Sequence, residues 1–193
     1  LNIGSANFAA LQTLPVDAIM AGTGAAYMRA NAGGNGRGLA LSPRMGAPSL
    51  PTHPFSPGAP ALSRNVPLLI GWNKDENSLF NASSPWYGNL TEAQLLEHLT
   101  QNYGAKAQPM LDAMKAEFPS YSPTFLRNIA DGADFMFGNS IRQAERKAAQ
   151  RGAPVYMYNL VWDSPAVLGF LKSPHTLEIP FVFDNVDRSE ALI

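Results

Sequence analysis

The sequence predicts an α/β fold in which parallel strands are flanked by helices. Two runs have the composition of β-strands, residues 66–70 and residues 155–162. The stretch between them has mainly helical patterning. This order of strand, helices and strand is typical of a parallel sheet whose strands are joined by helical crossovers. We expect the two strands to be neighbours in one sheet.

Before the first strand, the apolar residues of segment 6–21 recur at helical spacing. Pro15 is expected to start a second short helix over residues 16–21. Residues 31–38 are rich in glycine and indicate a flexible loop; they lack the strand-then-helix setting of a phosphate-binding loop. Residues 50–57 contain several prolines, which predicts a rigid, extended approach to the first strand.

Helices are predicted between the strands over about residues 91–103, 105–118 and 123–152. Either Asn89 or Thr91 can cap the first helix, since both side chains accept hydrogen bonds from free backbone N–H groups. Pro123 suits the first turn of the third helix, where no N–H is needed. We expect Gly132 to interrupt that helix.

Composition excludes several classes of function. The formal net charge is −1 and there is no dense basic cluster, which argues against a nucleic-acid partner. No apolar run approaches the roughly 20 residues that a membrane-spanning helix needs. The chain contains no cysteine, so disulfides and thiolate metal sites are excluded. No second histidine or acid stands at metal-ligand spacing, and we expect neither a metal nor a cofactor. The cellular compartment is left open.

Two motifs follow the predicted strands. The segment GWNKDENSLF (71–80) comes directly after the first strand, and SPHTLEIPFVF (173–183) comes after the second. Both resemble segments of the type-B carboxylesterase and cholinesterase family, an α/β-hydrolase family. In that family the acid lies in Gly-x-x-x-Asp-Glu-Gly-x-x-Phe, and the histidine lies in Gly-Ala-x-His-x-x-Glu-(Leu/Ile)-Pro-(Tyr/Phe)-Val-Phe. The resemblance extends over nearly the whole chain.

The resemblance implies a carboxylic ester hydrolase with a Ser-Glu-His triad, in which Glu76 is the acid and His175 is the base. The chemistry suits these residue types. A neutral imidazole can take a proton from a serine hydroxyl, and a carboxylate on its other nitrogen stabilises the imidazolium that forms. The implied substrate is a small-molecule carboxylic ester, and the implied fold is the C-terminal part of an α/β hydrolase.

Further roles follow from the same resemblance. Asp75 and Glu178 are expected to support the two loops, although for Asp75 a solvated loop charge is comparably favoured. Leu79 and Phe80 match positions that face the substrate gorge in cholinesterases, while core packing is at least as well favoured. Asn77 stands where the family usually has glycine. Because asparagine tolerates left-handed backbone, we expect the turn to be kept.

The nucleophile is not apparent in the sequence. The family's serine lies in Gly-x-Ser-x-Gly, and no serine here has glycine two residues away on both sides; Ser56 and Ser140 each have only one. The chain starts at Leu1 and stops at Ile193, so we expect residues 1–193 to be a partial domain, truncated at both ends. Its implied partner is the missing N-terminal part, and alone it should be inactive. The alternatives are a catalytically silent interaction or adhesion module and an incomplete product without function.

Overall fold

The computed structural model describes residues 3–31, 43 and 45–193, which form two compact units, Leu1–Thr52 and His53–Ile193. The first unit contains a 3-10 helix, Ser5–Gln12, and helix α1, Val16–Asn31. Helix α1 is longer than predicted because its second half is rich in alanine, which outweighs two glycines. The predicted glycine-rich loop lies outside the described residues from residue 32 onward.

The second unit contains the sheet. Strands β1, Leu68–Asn73, and β2, Val155–Leu160, pair in parallel, with Leu68 opposite Val155 and Asn73 opposite Leu160. The predicted α/β class is therefore confirmed. The first strand begins later than predicted because Pro67 has no N–H for the ladder. It also ends three residues later than predicted, at Asn73, so the motif GWNKDENSLF (71–80) starts inside the strand.

The second unit contains six α-helices among its described residues. They are α2 Asn77–Asn81, α3 Glu92–Tyr103, α4 Ala107–Glu117, α5 Pro123–Gly132, α6 Gly138–Ala148 and α7 Ile179–Val182. The prediction missed α2 and α7, which are too short to show a helical repeat. It treated α5 and α6 as one helix interrupted by Gly132; in the structure, the π-helical turn Ala133–Phe137 separates them. No helix in the described part of the chain is long and apolar enough to span a bilayer.

Helices α3, α4 and α5 enclose the main apolar core. Thr91 caps α3 as predicted, because its hydroxyl accepts from the N–H of Gln94 while the Gln94 side chain accepts from the N–H of Thr91. Apolar residues at helical spacing then meet in one cluster: Leu90, Leu95, Leu99, Ala107, Leu111, Met114, Leu126 and Ala130. This core holds the helical layer, whose contacts with the residues after β1 include hydrogen bonds from Tyr121 to Asp75 and from Asn77 to the backbone oxygen of Asn128.

Gly71 allows the two strands to approach closely. A Cβ at this position would lie 2.3 Å from the backbone oxygen of Tyr158 and 2.5 Å from its ring. Tyr158 is the partner of Gly71 across the ladder. A larger residue would therefore push β2 away from β1.

A buried carboxylate joins the sheet to the helical layer. Asp75, two residues beyond β1, is fully buried; its Oδ2 accepts from the Tyr121 hydroxyl at 3.0 Å and from the N–H of Ser173 at 3.4 Å. From the sequence, Asp75 could equally have been a solvated charge in a loop. The burial of its side chain rules out that interpretation. Burial raises the pKa of Asp75 from 3.8 to about 6, although Tyr121 and the nearby Lys74 favour the charged form.

We predict that Gly71→Ala destabilises the chain by about 2–3 kcal/mol, because backbone atoms must shift to admit the methyl group. Gly58→Ala is the matched control, since a Cβ there meets nothing within 4 Å. Urea unfolding of both variants measures the difference. Equal midpoints for Gly71→Ala and the control would show that the strands are not so closely apposed.

We also predict that Asp75 makes stability depend on pH. Its pKa is higher in the folded chain than the ordinary 3.8, so the folded state binds the proton more tightly than the unfolded state. Stability from this group is complete below pH 4 and is lost as the pH rises through about 6, amounting to about 2–3 kcal/mol. The difference in unfolding free energy between Asp75→Asn and the natural chain should change by that amount between pH 4 and pH 7.

The control for this titration is Asp187→Asn, because the side chain of Asp187 is 80% exposed. Its difference from the natural chain should stay flat over the same pH range. A flat difference for Asp75→Asn as well would contradict the assignment of a raised pKa to the buried carboxyl.

Candidate active site

Glu76 and His175 lie in contact, although 99 residues separate them in the sequence. Glu76 Oε2 is 2.5 Å from His175 Nδ1. The other carboxylate oxygen, Oε1, accepts from the N–H of Asn73 at 2.7 Å, which fixes the carboxylate against the end of β1. Glu76 is 9% exposed, whereas the side chain of His175 is 40% exposed. A buried carboxylate thus orients an imidazole that is accessible from outside.

Backbone hydrogen bonds hold the two loops side by side beyond the ends of the strands. The N–H of Lys74 donates to Leu160 O at 2.9 Å, and the N–H of Asp75 donates to Ser173 O at 2.9 Å. The N–H of His175 then donates to Glu76 O at 3.3 Å. The parallel pairing of the sheet therefore continues as loop-to-loop contact up to the histidine.

Asn73, the last residue of β1, ties both loops to Glu178. Its side chain is fully buried, and its Nδ2 donates to Pro174 O at 2.8 Å and to Glu178 Oε2 at 2.5 Å. Glu178 is partly buried, and its carboxylate accepts this hydrogen bond from the end of β1. Sequence reasoning did not single out Asn73. Its position at the strand end, two residues before a pair of acids, was the available signal.

A cleft of about 320 Å³ opens beside this pair. Its walls include Glu76, His175, Glu178, Tyr158, Ser140 and Trp72. Burial raises the pKa of the Tyr158 hydroxyl, and the charges of Glu178 and Glu76 raise it further, so the phenol stays neutral at physiological pH. The Ser140 hydroxyl lies 3.3 Å from both Gly71 O and Met136 O, and either backbone oxygen can accept its hydrogen bond.

Phe80 and Leu79, the two residues that the resemblance implied for the substrate gorge, are both partly exposed. The Phe80 ring lies 5.2 Å from the His175 ring, centre to centre, and Phe80 is 54% exposed. Leu79 is 37% exposed, so neither residue belongs to the core of the described chain. Asn77 does not adopt the left-handed backbone on which the expectation was based: it begins helix α2 with right-handed backbone, and its Nδ2 donates to Asn128 O at 3.4 Å. The turn is helical here and needs no left-handed residue.

Left-handed backbone occurs instead in the loop that carries the histidine. Thr176, directly after His175, has φ +74°, and Lys172 has φ +57°. Such conformations cost about 1–3 kcal/mol each in residues other than glycine and persist only where neighbouring contacts hold them. The loop therefore depends on its contacts with the end of β1.

Within the described residues, no group of three or more His, Cys, Asp or Glu side chains is arranged to hold a metal ion. The other two histidines lie outside the site and have partners of their own. His53 Nδ1 accepts from the N–H of Phe55 at 3.1 Å, and His98 Nε2 lies 2.6 Å from Asp131 Oδ1.

Comparison with known proteins gives a consistent set of relatives. The chain is 27% identical over 151 residues to phenmedipham hydrolase of Pseudarthrobacter oxydans, covering 78% of this chain and 29% of that protein. It is 28% identical over 155 residues to para-nitrobenzyl esterase of Bacillus subtilis, covering 80% of this chain and 29% of that protein. No protein-family model matches the chain.

A crystal structure of a carboxylesterase from Geobacillus stearothermophilus is similar with a TM-score of 0.49 and 31% identity, over 66% of this chain and 26% of that one. The chain thus spans less than a third of the length of each of these relatives. By its sequence relatives, the chain is carboxylesterase-like and corresponds to part of such a protein.

Proposed function

We propose that this chain supplies the acid and the base of a serine-dependent carboxylic ester hydrolase, with Glu76 as the acid and His175 as the base. The observation that supports this most strongly is the 2.5 Å contact between Glu76 Oε2 and His175 Nδ1 beside an open cleft. A carboxylate on Nδ1 selects the tautomer in which Nε2 is free to accept a proton. The esterase and hydrolase relatives support the same class of reaction.

In the proposed reaction, His175 Nε2 takes the proton of a serine hydroxyl as the serine oxygen attacks the ester carbonyl. The bond between the carbonyl carbon and the alkoxy oxygen then breaks, and the imidazolium returns its proton to the leaving alcohol. Water repeats the sequence on the acyl-enzyme and releases the carboxylic acid. The Glu76 carboxylate stabilises the imidazolium, and the hydrogen bond from the N–H of Asn73 holds the carboxylate in place.

We further propose that the serine and the donors to the oxyanion come from sequence outside residues 1–193, from the N-terminal part of the same domain. No Gly-x-Ser-x-Gly is present here, and the chain spans 29% of each curated relative. Large apolar side chains at the sheet and the histidine loop are exposed, including Leu69, Val161, Val182 and Phe183. Exposed apolar surface of this kind marks a place where further protein packs. On this proposal Asp75 and Glu178 hold the loops rather than react.

The proposal predicts that His175→Ala, made in the longer protein that carries the serine, lowers kcat for an activated aryl ester by about 10³-fold or more. Ser140→Ala is the control, since Ser140 lies in the same cleft but is not the proposed nucleophile. It should leave kcat nearly unchanged. Steady-state kinetics at matched folded fraction makes the comparison.

The 193-residue chain alone is the reference, and it should hydrolyse the same ester no faster than free imidazole. Saturable hydrolysis by the chain alone, abolished in Ser140→Ala, would overturn the proposal that the serine lies elsewhere. Normal activity of His175→Ala in the longer protein would overturn the proposed base. A longer protein without a serine elbow or activity would point to the interaction module instead.

A further inference from the structure

A cluster of charged and aromatic side chains connects the two loops that carry Glu76 and His175 and does not line the cleft. Asp163, in the loop after β2, bridges two lysines: its Oδ1 lies 2.8 Å from Lys74 Nζ and its Oδ2 lies 3.0 Å from Lys172 Nζ. Lys74 precedes Glu76 by two residues, and Lys172 precedes His175 by three. Each of the two loops therefore contributes one lysine to the same carboxylate.

Aromatic rings lie against the two lysines of this bridge. Lys74 Nζ lies 5.4 Å and Lys172 Nζ 5.1 Å from the centre of the Tyr121 ring, and Lys172 Nζ lies 5.0 Å from the Phe125 ring. Both distances to Tyr121 are within the range of cation–π attraction. Tyr121 also donates its hydroxyl to Asp75 at 3.0 Å. The helical layer is thus joined to both loops at one point.

Both lysines share one carboxylate, that of Asp163. Burial raises the pKa of Asp163, but hydrogen bonds from Lys74 and Lys172 outweigh burial, so that this pKa lies below its ordinary value. Exposed single ion pairs contribute little to stability. Here one carboxylate, on a side chain that is 42% exposed, serves two cations whose side chains are only 16% and 23% exposed, and the shared geometry favours a defined contact.

The loop from Asp163 to His175 needs such a contact. Lys172 and Thr176 both have left-handed backbone. The loop also closes on itself, since the N–H of Ser164 donates to Lys172 O at 2.9 Å. An anchor at Lys172 therefore fixes the start of the segment that presents the imidazole, and the same carboxylate fixes the start of the acid loop through Lys74.

We propose that Asp163 is a positioning residue, which clamps Lys74 and Lys172 together and thereby keeps Glu76 and His175 within hydrogen-bonding distance of each other. Asp163 does not touch the cleft or the pair itself; it acts through the two loops. The expected effect of Asp163 on kcat rests on the function proposed above. Its expected effect on the contact between Glu76 and His175 does not.

The test observes the hydrogen bond between Glu76 and His175 directly, in the 193-residue chain. The chain has only three histidines, so histidine-selective ¹⁵N labelling gives few signals, and His175→Ala identifies the one from His175. The readout is the exchange rate of the Nδ1 proton with solvent. Asp163→Asn keeps the shape but removes the charge, and it should speed this exchange about fivefold or more, as expected if the contact contributes roughly as much as a good ion-pair network.

Asp163→Glu should restore slow exchange, because it returns the carboxylate. Asp187→Asn, which removes an equally charged but 80% exposed side chain, should have no effect. About 1 M salt should accelerate exchange in the natural chain but not in Asp163→Asn, since salt screens only a pair that is present. Exchange in Asp163→Asn that matches Asp187→Asn at equal folded fraction would overturn the proposal.

A second measurement separates this proposal from the esterase function. In the longer protein, Asp163→Asn should lower kcat several-fold with little change in KM, and Asp163→Glu should recover it. If the longer protein has no esterase activity, the proton-exchange result still decides whether the clamp exists. If esterase activity requires Glu76 and His175 but Asp163→Asn leaves both exchange and kcat unchanged, the clamp is wrong and the proposed function stands.

Discussion

The geometry of the site depends on the parallel pairing of β1 with β2. Parallel strands end at the same edge of a sheet, so the residues that follow them meet there although they are far apart in sequence. Asn73 and Leu160 are the last paired residues, and hydrogen bonds from Lys74 and Asp75 extend the contact into the loops. A histidine and a glutamate thereby come within 2.5 Å at the end of two neighbouring strands.

Burial of polar groups at this edge has a cost that the surrounding contacts offset. Asn73 and Asp75 are fully buried, and the Oδ1 atom of each has no hydrogen-bond partner among the described residues. An ionised carboxylate in this position is unfavourable, in keeping with the raised pKa of Asp75. Tyr121 and Ser173 supply donors to the other oxygen. The burial of these polar groups lowers the stability of the chain, while their hydrogen bonds hold the two loops in one geometry.

Much of this arrangement could be predicted from sequence, for a physical reason. The long helices α3 and α4 show a clear apolar repeat, and the strands have β-branched and aromatic composition, so that both appear in local patterns. The partnership of Glu76 with His175 came from motif resemblance. Local patterns could not predict the short helix α2 at Asn77, nor the contacts of Asp163 with Lys74 and Lys172. Both depend on contacts across the chain, and Asp163 stands in a loop with no motif of its own.

The most direct test of the account compares Glu76→Gln with Asp75→Asn in the longer protein, at matched folded fraction. Both acids are adjacent and buried, but only Glu76 contacts His175. The account predicts a large loss of kcat for Glu76→Gln, because the amide cannot stabilise the imidazolium, and a change mainly in stability for Asp75→Asn. Loss of kcat in Asp75→Asn, with Glu76→Gln nearly normal, would show that the acid is assigned to the wrong residue.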